Sequence, residues 1–298
     1  MDLRKLQYFI ELVEQGSLGK AAEKLHVSQP ALTKSLRLLE DELGVRLLDR
    51  LPAGVKPTVY GDSLFAHAKA MVAEADHARI EIQKLRGEEP GYVRIGTLPS
   101  VSAGLVARAV AAMMPKNPPV KIRVVDKQNY ELLPALRRGE FDFVVALANG
   151  WEPEPGIRKR LVLEDRLEIT VRGGHPLARK NAVDHRDLLE FPWMFPIVGT
   201  THGPLLKQLF AEVGLTAPEP RVESGSIHFS KTVIRQSDCI GILPAHAMDP
   251  ELKRGELICL PITSDVLRRT IAFYYRDHRP PSASVGAVMR EIERVCRG

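Results

Sequence analysis

The feature that most constrains this chain is the run from Ser17 to Pro57, which predicts two short helices joined by a tight turn. In the second helix, four leucines recur at steps of four, three and four residues, so they share one face that we expect to be buried: Leu32, Leu36, Leu39 and Leu43. The opposite face is short, polar and basic, and it carries Pro30, Thr33, Lys34 and Arg37. Such a face suits a helix that lies in the major groove of DNA.

Signals at the helix ends complete a recognisable unit. Ser28 is placed to cap the second helix, and Pro30 lies in its first turn, where a missing N–H costs little. A preceding helix is predicted from Leu3 to Glu14, with an apolar stripe formed by Leu3, Leu6, Ile10 and Val13. The segment 46–58 predicts two short strands around a Pro-Ala-Gly turn. Three helices and a hairpin together make a winged helix-turn-helix.

Charge placement, more than bulk charge, points to DNA. The chain has a formal net charge of +5, yet residues 1–87 carry 13 Lys/Arg against 12 Asp/Glu. Contacts with phosphates and bases must therefore come from individual side chains, and the predicted set is Ser28, Gln29, Pro30, Thr33, Lys34, Arg37, Arg50, Lys56 and Thr58. Arg46 could also reach a phosphate. A solvated surface helix with no DNA partner would show the same pattern, so the pattern alone leaves that alternative open.

A long helix follows, and its apolar residues predict an interface. They alternate four and three residues apart over about three heptads, at Leu64, Ala68, Met71, Ala75, Ala78, Ile82 and Leu85. We expect a two-helix dimer interface, of modest strength because several of these residues are alanines. Packing onto the body of the same chain would produce the same spacing and remains an alternative.

Beyond a Gly/Pro-rich hinge at 87–91, strands and helices alternate, which is typical of a parallel α/β sheet. Strands are predicted at 93–96, 120–125, 143–147, 167–171, 193–197, 239–243, 257–261 and 270–275. Helices are predicted at 102–114, 131–138, 203–213, 227–236 and 284–295. The turn-rich segment 149–156 suggests that this region forms two lobes.

Several classes of protein lack support in the sequence. The three cysteines, Cys239, Cys259 and Cys296, show no metal-ligand spacing, and we expect them to be buried reduced thiols. HExxH, GxSxG and P-loop motifs are absent, so we predict no catalytic site, no metal and no cofactor other than a small-molecule effector. The start of the chain does not read as a signal peptide, and no stretch approaches the ~20 apolar residues that cross a bilayer. The expected location is the cytoplasm, with no membrane partner.

Ordered motifs recur in the run from Leu3 to Gly61: Ala21-Ala22, Ser28-Gln29-Pro30-Ala31-Leu32, Leu39–Gly44, Leu47–Arg50, and Thr58 with Gly61. This block resembles the LysR-type transcriptional regulator family. Looser matches continue at 93–96, 138–143, 173–177 and 240–244. The resemblance implies a multidomain α+β architecture, with a winged helix-turn-helix at 1–60 and a linker helix and hinge at 61–89. It further implies a two-lobed α/β effector-binding domain at 90–298, similar to a periplasmic binding protein. Lobe I is expected at 90–161 and 267–298, and lobe II at 162–266.

Two segments predict where an effector would bind. Residues 97–102 and 199–203 each follow a predicted strand and open a helix, where backbone N–H groups and hydroxyls favour an anion. In the resembled family, equivalent segments hold a small acid between the lobes. The expected site comprises Ser100, Val101, Ser102, Phe143, Thr200, Thr201, His202 and Ile227. The alternative is that the hydroxyls only cap helices.

The resemblance implies a sequence-specific DNA-binding transcriptional regulator that is not an enzyme. Its expected partners are a dyad-symmetric double-stranded operator, a small anionic effector, RNA polymerase, and copies of itself in a homodimer that associates into a homotetramer. A small-molecule-binding module or an α/β enzyme without a transcriptional role is the alternative. Specific binding of DNA by residues 1–60 would distinguish these possibilities.

Overall fold

The structure is a computed structural model that describes residues 1–51, 54–85, 91–115, 120–148, 155–195, 202–277 and 281–297. Contacts divide the chain into two compact units. Unit 1 comprises Met1–Tyr92 and short later segments that include Pro134–Asp142, and unit 2 holds most of the remaining chain. Apart from Gly91, the predicted hinge at 87–91 lies outside the described residues.

Unit 1 begins with three helices, a hairpin and a long helix, in the order that the sequence predicts. The helices are α1 (Leu3–Gln15), α2 (Leu18–Lys24), α3 (Gln29–Leu43) and α4 (Val59–Leu85). Strands β1 (Leu48–Leu51) and β2 (Gly54–Pro57) precede α4 and pair antiparallel, with Leu51 opposite Gly54. The tip of the hairpin, at 52–53, lies outside the described residues.

Local signals fix the boundaries of the first helices. Asp2 caps α1 by accepting a hydrogen bond from the Lys5 N–H at 2.8 Å, and Gly16 ends the helix in the left-handed conformation at φ 61°. The turn between α2 and α3 passes through His26, whose φ of 53° is uncommon for a residue with a side chain. This turn sets the direction in which α3 leaves α2.

The core of unit 1 differs from the predicted stripes at two places. On α1, the buried residues are Leu6, Phe9 and Leu12, whereas the predicted Leu3 is 42% exposed and Ile10 and Val13 are only half-buried. Phe9 is the largest of these side chains, and burying it turns the helix away from the predicted stripe. On α3, Leu32, Leu36 and Leu39 are buried as predicted, but Leu43 is 40% exposed because it is the last residue of the helix.

Two contacts hold the hairpin against the helices. A carboxylate oxygen of Glu40 accepts hydrogen bonds from the Leu47 and Leu48 N–H groups at 2.8 and 3.3 Å. The Val55 N–H donates to the Gly16 carbonyl at 2.9 Å. A Cβ atom at Gly54 would lie 2.1 Å from that same carbonyl, so only glycine allows this approach.

Unit 2 contains a mixed sheet in the strand order β4-β3-β5-β11-β6-β9-β7-β8, with β10 also on β6. The strands are β3 (Tyr92–Thr97), β4 (Lys121–Asp126), β5 (Phe143–Leu147), β6 (Ile157–Arg172), β7 (Trp193–Phe195), β8 (Pro220–Glu223), β9 (Ile240–Pro244), β10 (Leu257–Cys259) and β11 (Arg268–Arg276). β3 runs parallel to β5, and β7 runs parallel to β8 and β9. β6 and β11 run antiparallel to their neighbours, so the predicted all-parallel rhythm is wrong for these two strands.

Helices cover the sheet near their predicted positions. They are α5 (Pro99–Val101), continuing through a π-helical segment (Ser102–Val106) into α6 (Ala107–Met113), then α7 (Asn129–Arg137), α8 (His202–Ala211), α9 (Ile227–Gln236), α10 (Asp249–Lys253) and α11 (Ala283–Arg297). One hydrophobic core of unit 2 lies around Trp193, Leu209 and Phe210 and the apolar side chains of β6 and β9. No helix in the described part of the chain is long and apolar enough to cross a membrane.

Strand β6 changes partners along its length. Residues Ile157–Arg166 pair with β11, whereas Leu167–Thr170 pair with β9 and Thr170–Arg172 with β10. The sequence predicts only the second half of this strand, because its first half is rich in charged residues. The lobe boundaries expected at 161/162 and 266/267 remain predictions.

Candidate functional sites

The first candidate site is the exposed face of α3. Five of its predicted contact residues are exposed, namely Ser28, Gln29, Pro30, Lys34 and Arg37, while Thr33 is half-buried. Leu32, Leu36 and Leu39 anchor the opposite face in the core. The Ser28 hydroxyl caps the helix by accepting from the Ala31 N–H at 3.3 Å. The polar face is therefore held on a rigid, capped helix.

Charges around α3 leave its basic groups available. Two of the three acidic residues at 40–42 are engaged elsewhere: Glu40 accepts the Leu47 and Leu48 amides, and Glu42 forms ion pairs with Lys5, at 3.1 Å, and with the N-terminus. Within the described residues, no carboxylate pairs with Arg37. A nearby phosphate would therefore meet a free guanidinium.

The hairpin residues of the predicted interface differ from one another. Lys56 is exposed on β2, and the side chain of Arg50 is not described. Thr58 is half-buried, and its hydroxyl donates to the Arg46 carbonyl at 2.8 Å and accepts from the Gly61 N–H at 3.1 Å. The Thr58 hydroxyl thus forms hydrogen bonds within the chain just before α4. The sequence predicted a DNA contact for this residue and did not reveal these bonds.

The apolar stripe of α4 has two parts. Leu64 and Ala68 pack into the core of unit 1, which is a correction to their predicted place in a dimer interface. Further along, Ala75 is half-buried, and Met71, Ala78 and Ile82 are exposed, with exposed fractions of 41% for Met71 and 57% for Ile82. The side chain of Leu85 is not described. The first part of the helix therefore packs onto the body of the same chain, and a dimer interface stays a prediction for the exposed part.

The second candidate site is a cavity of about 230 Å³ in unit 2. It is lined by Leu98, Pro99, Ser100, Gln128, Asn129, Tyr130, Leu147, Met194, Phe195, Ser224, Gly225, Ser226, Ile227, Ser230, Ile234, Gly241, Ile242, Leu243, Pro244 and Arg269. The lining joins the ends of β3 and β5 to the ends of β7 and β9. Ligand sites commonly occupy such strand ends in α/β sheets.

The cavity includes some of the predicted effector residues and omits others. Ser100 and Ile227 line it. Val101, Ser102 and Phe143 are not among its described lining residues, and Phe143 is fully buried with its ring edge-on to Phe273 at 5.5 Å. The predicted Thr200 and Thr201 lie outside the described residues, and the side chain of His202 is not described.

Sequence reasoning missed a buried trio of ionisable residues beside this cavity. Arg269 Nε donates to Asp165 Oδ2 at 2.6 Å, and His246 Nδ1 lies 3.0 Å from the same oxygen. The other ring nitrogen of His246 lies 3.2 Å from the Ser100 carbonyl oxygen. A Cβ at Gly104 would lie 2.7 Å from the His246 ring, so glycine permits this packing.

Electrostatics within the trio favour an ionised carboxylate. Burial by itself would raise the pKa of Asp165, but the neighbouring His246 and Arg269 outweigh burial and lower that pKa. Burial lowers the pKa of Arg269, against the opposing effect of Asp165. A guanidinium nonetheless stays charged in proteins. The cavity therefore has a buried positive charge in its wall.

Comparisons with known proteins match both units of the chain. Residues 3–62 match the model of the bacterial regulatory helix-turn-helix protein, lysR family, and residues 86–297 match the LysR substrate binding domain. The second match alone covers more than half of the chain. The chain belongs to the LysR family. It is a DNA-binding transcriptional regulator with an effector-binding domain, so the alternative of a module or enzyme without a transcriptional role is not favoured.

Named relatives of this LysR-family regulator are regulators too. The HTH-type transcriptional regulator PcaQ of Agrobacterium fabrum is 30% identical over 292 residues, which cover 98% of this chain and 94% of PcaQ. The hydrogen peroxide-inducible genes activator of Escherichia coli O6:H1 is 30% identical over 281 residues, covering 94% and 91%. The solved structure of full-length CbnR in complex with its target DNA has the same fold, with a TM-score of 0.71 at 18% identity and coverage of 99% and 100%.

Two of the three thiols of this LysR-family regulator have little thiolate character. Burial raises the pKa of Cys259 to about 11, with a further contribution from Glu168, and burial raises the pKa of Cys296 to about 11 as well. Reactive cysteines have a lowered pKa, because the thiolate is the nucleophile. Similarity to a peroxide-inducible activator therefore does not extend to reactive chemistry at these two thiols. No His, Cys, Asp and Glu cluster that could hold a metal occurs among the described residues.

Proposed function

We propose that this regulator binds a dyad-symmetric operator in the bacterial cytoplasm as a homodimer that pairs into a homotetramer. A small anionic effector in the cavity of unit 2 controls it. The exposed polar face of α3 is the single observation that best supports DNA recognition. With one such helix per half-site, two-fold symmetry of the protein imposes two-fold symmetry on the operator.

The exposed apolar part of α4 supports the dimer. Met71 and Ile82 present large apolar side chains to solvent in the single chain, next to the small Ala75 and Ala78. Apolar residues at heptad spacing on an exposed helix are expected to pair with the same face of a second copy. Because Leu64 and Ala68 already serve the core of unit 1, the interface begins near Met71.

Regulation would arise from a shift between two arrangements of the oligomer on DNA. An effector that prefers one arrangement needs only about 1–3 kcal/mol of coupling between its cavity and the DNA. The change would alter the DNA bend and the contact with RNA polymerase. Support for the anionic character of the effector comes from the buried charge of Arg269 in the cavity wall.

The experiment that tests DNA recognition is selection of bound sequences from a randomised DNA pool by the full chain. We expect a dyad-symmetric consensus, and Arg37→Ala should weaken binding to it by about 1–3 kcal/mol. The matched control is Arg268→Ala, which removes another exposed arginine, in unit 2. Enrichment of no sequence, or equal losses in the two variants, would contradict the assignment.

A second experiment tests regulation. Footprints and bend angles on the selected operator are compared with and without small carboxylates, sulfates, sugar acids and neutral sugars. We expect an anion to change the footprint, since the arrangement of dimers on DNA should depend on the cavity. Identical footprints with every anion would argue against effector control.

A further inference from the structure

The position of Arg269 in the cavity wall is unusual for a charged residue. Arg269 stands directly opposite Asp165 in the antiparallel pair of β11 and β6. Its side chain is only 4% exposed, and it lines the cavity. Its Nε donates a hydrogen bond to Asp165, but its Nη2 is buried and has no hydrogen-bond partner within the described chain.

Asp165 cannot satisfy this guanidinium completely. The same carboxylate oxygen that receives the Arg269 Nε also has His246 Nδ1 at 3.0 Å. Buried donors that carry charge are nearly always paired, because leaving one unpaired forfeits its hydration without compensation. The unpaired nitrogen therefore calls for an acceptor that arrives from outside the chain.

A second cavity residue also has a buried polar atom without a hydrogen-bond partner among the described residues. The side-chain oxygen of Asn129, at the start of α7, is buried without a hydrogen-bond partner in the described residues. Three of the four cavity serines differ, because the hydroxyl oxygens of Ser224 and Ser226 accept N–H groups of their own loop and the Ser230 hydroxyl donates to the Ser226 carbonyl. Unmet polar groups at the cavity thus include a cationic donor and an amide oxygen.

The remaining walls are largely apolar. The apolar side chains among them are Leu98, Leu147, Met194, Phe195, Ile227, Ile242 and Leu243. Arg269 is the one charged residue among the described lining residues. A dicarboxylate would lack a second cation among the described lining residues.

We propose that the cavity binds a small monocarboxylic acid that has an apolar body and one hydroxyl group. Arg269 pairs with the carboxylate, and Asn129 accepts a hydrogen bond from the hydroxyl. A volume of about 230 Å³ suits a body of about one ring. This inference rests on the proposed function, since it takes the cavity of unit 2 as the effector site.

The test uses the full chain and three probes built on one benzene ring: benzoate, its neutral isostere benzamide, and para-hydroxybenzoate. Binding is measured by calorimetry and by the rise in thermal midpoint. Benzoate should bind and benzamide should not, while para-hydroxybenzoate should bind more tightly than benzoate. Arg269→Met should weaken benzoate binding by about tenfold or more, because it removes a charge-assisted pair.

Matched variants separate this role from stability. Arg268→Met changes the adjacent residue, whose side chain is 78% exposed, and it should leave benzoate binding within about twofold of the original. Arg269→Met alone leaves the buried carboxylate of Asp165 without its ion-pair partner. The double variant Asp165→Asn with Arg269→Met removes both charges and is expected to fold. It too should lose benzoate binding. Asn129→Ala should keep benzoate binding but lose the preference for para-hydroxybenzoate.

Three results would overturn the proposal. They are equal binding of benzamide and benzoate, unchanged benzoate binding in the folded double variant, and no binding of either acid to the original chain. Footprints on the operator distinguish this failure from failure of the proposed function. If benzoate binds in an Arg269-dependent way but the operator footprint does not change, effector control is refuted and the proposed binding site is retained. A footprint that responds to an acid in the double variant would refute the role of Arg269 and leave effector control intact.

Discussion

His175 is fully buried, although its position before Pro176 predicts an ordinary turn residue. Its Nδ1 accepts from the Leu177 N–H at 3.1 Å, and its Nε2 lies 3.3 Å from the Asp238 carbonyl oxygen. Its ring packs against Phe191 at 4.6 Å. A neutral imidazole with its hydrogen on Nε2 satisfies both contacts, whereas protonation of Nδ1 would break the first.

Acidification should therefore destabilise the protein through His175. Burial lowers the pKa of His175 below its ordinary value of 6.5, so the unfolded chain takes up the proton first. The corresponding stability is complete above about pH 6.5 and is lost as the pH falls through the lowered folded-state pKa. We expect a smaller loss in His175→Asn, whose side-chain oxygen can still accept from Leu177. Denaturant unfolding from neutral to mildly acidic pH measures this, and parallel curves for the two proteins would contradict it.

Single residues also show what the sequence could not predict. The polar face of α3 was predictable, because local helical periodicity determines which side chains share a face. The pairing of Arg269 with Asp165 was not, since 104 residues separate them and only the register of β11 on β6 places them opposite each other. Asn129 is likewise hidden, because no local pattern distinguishes a buried unpaired amide from an exposed one.

Among the elements, helices were located more accurately than strands. α3 begins and ends where Ser28 and Gly44 predict, and α9 matches its predicted range. β8 was missed because Pro220 and its charged neighbours resemble a loop. The tertiary environment alone makes such a segment a strand, since its pairing with β7 supplies the hydrogen bonds.

The cap of α3 is testable on its own. Ser28→Ala should lower the stability of unit 1 by about 1 kcal/mol, because the Ala31 N–H loses its acceptor. The matched control is Ser35→Ala in the interior of the same helix, which should be neutral or slightly stabilising because alanine favours helix. Thermal unfolding of both variants measures the difference. Equal effects would show that the cap contributes nothing.

The exposed stripe of α4 supports a prediction about assembly. Ile82→Glu should shift the full chain from dimer toward monomer, because it places a charge in an apolar interface. Ala66→Glu adds the same charge at an exposed position of α4 that lies off the stripe, and it should leave the dimer intact. Sedimentation velocity over a concentration series measures both. Equal dissociation of the two variants would contradict the proposed interface.

For the whole molecule, the order of a helix-turn-helix, a long helix and a larger α/β region was predictable from motifs and periodicity. The antiparallel course of β6 and β11 was not, because strand direction depends on long-range pairing that leaves no local signal. Family membership is consistent with both the predicted order and the observed sheet.

The raised pKa values of Cys259 and Cys296 predict that these two thiols resist oxidants. With a pKa of about 11, only about one thiol in a thousand at Cys259 or Cys296 is ionised at pH 8. We expect peroxide to leave Cys259 and Cys296 unmodified at neutral pH, and alkylation of these two thiols in the native chain to be slow and to accelerate only on unfolding. Mass spectrometry of peroxide-treated and of alkylated protein checks this. Rapid modification of native Cys259 or Cys296 would contradict the expectation.

Strand β6 runs without a break from its pairing with β11 into its pairing with β9 and β10. Any rotation of the strands around β11 against the strands around β9 must therefore twist the backbone of β6 near Arg166 and Leu167, where the strand changes partners. Asp165 and Arg269 lie immediately beside this segment of β6. A negative charge that arrives at Arg269 would therefore change the electrostatics directly beside the segment of β6 that such a rotation has to twist.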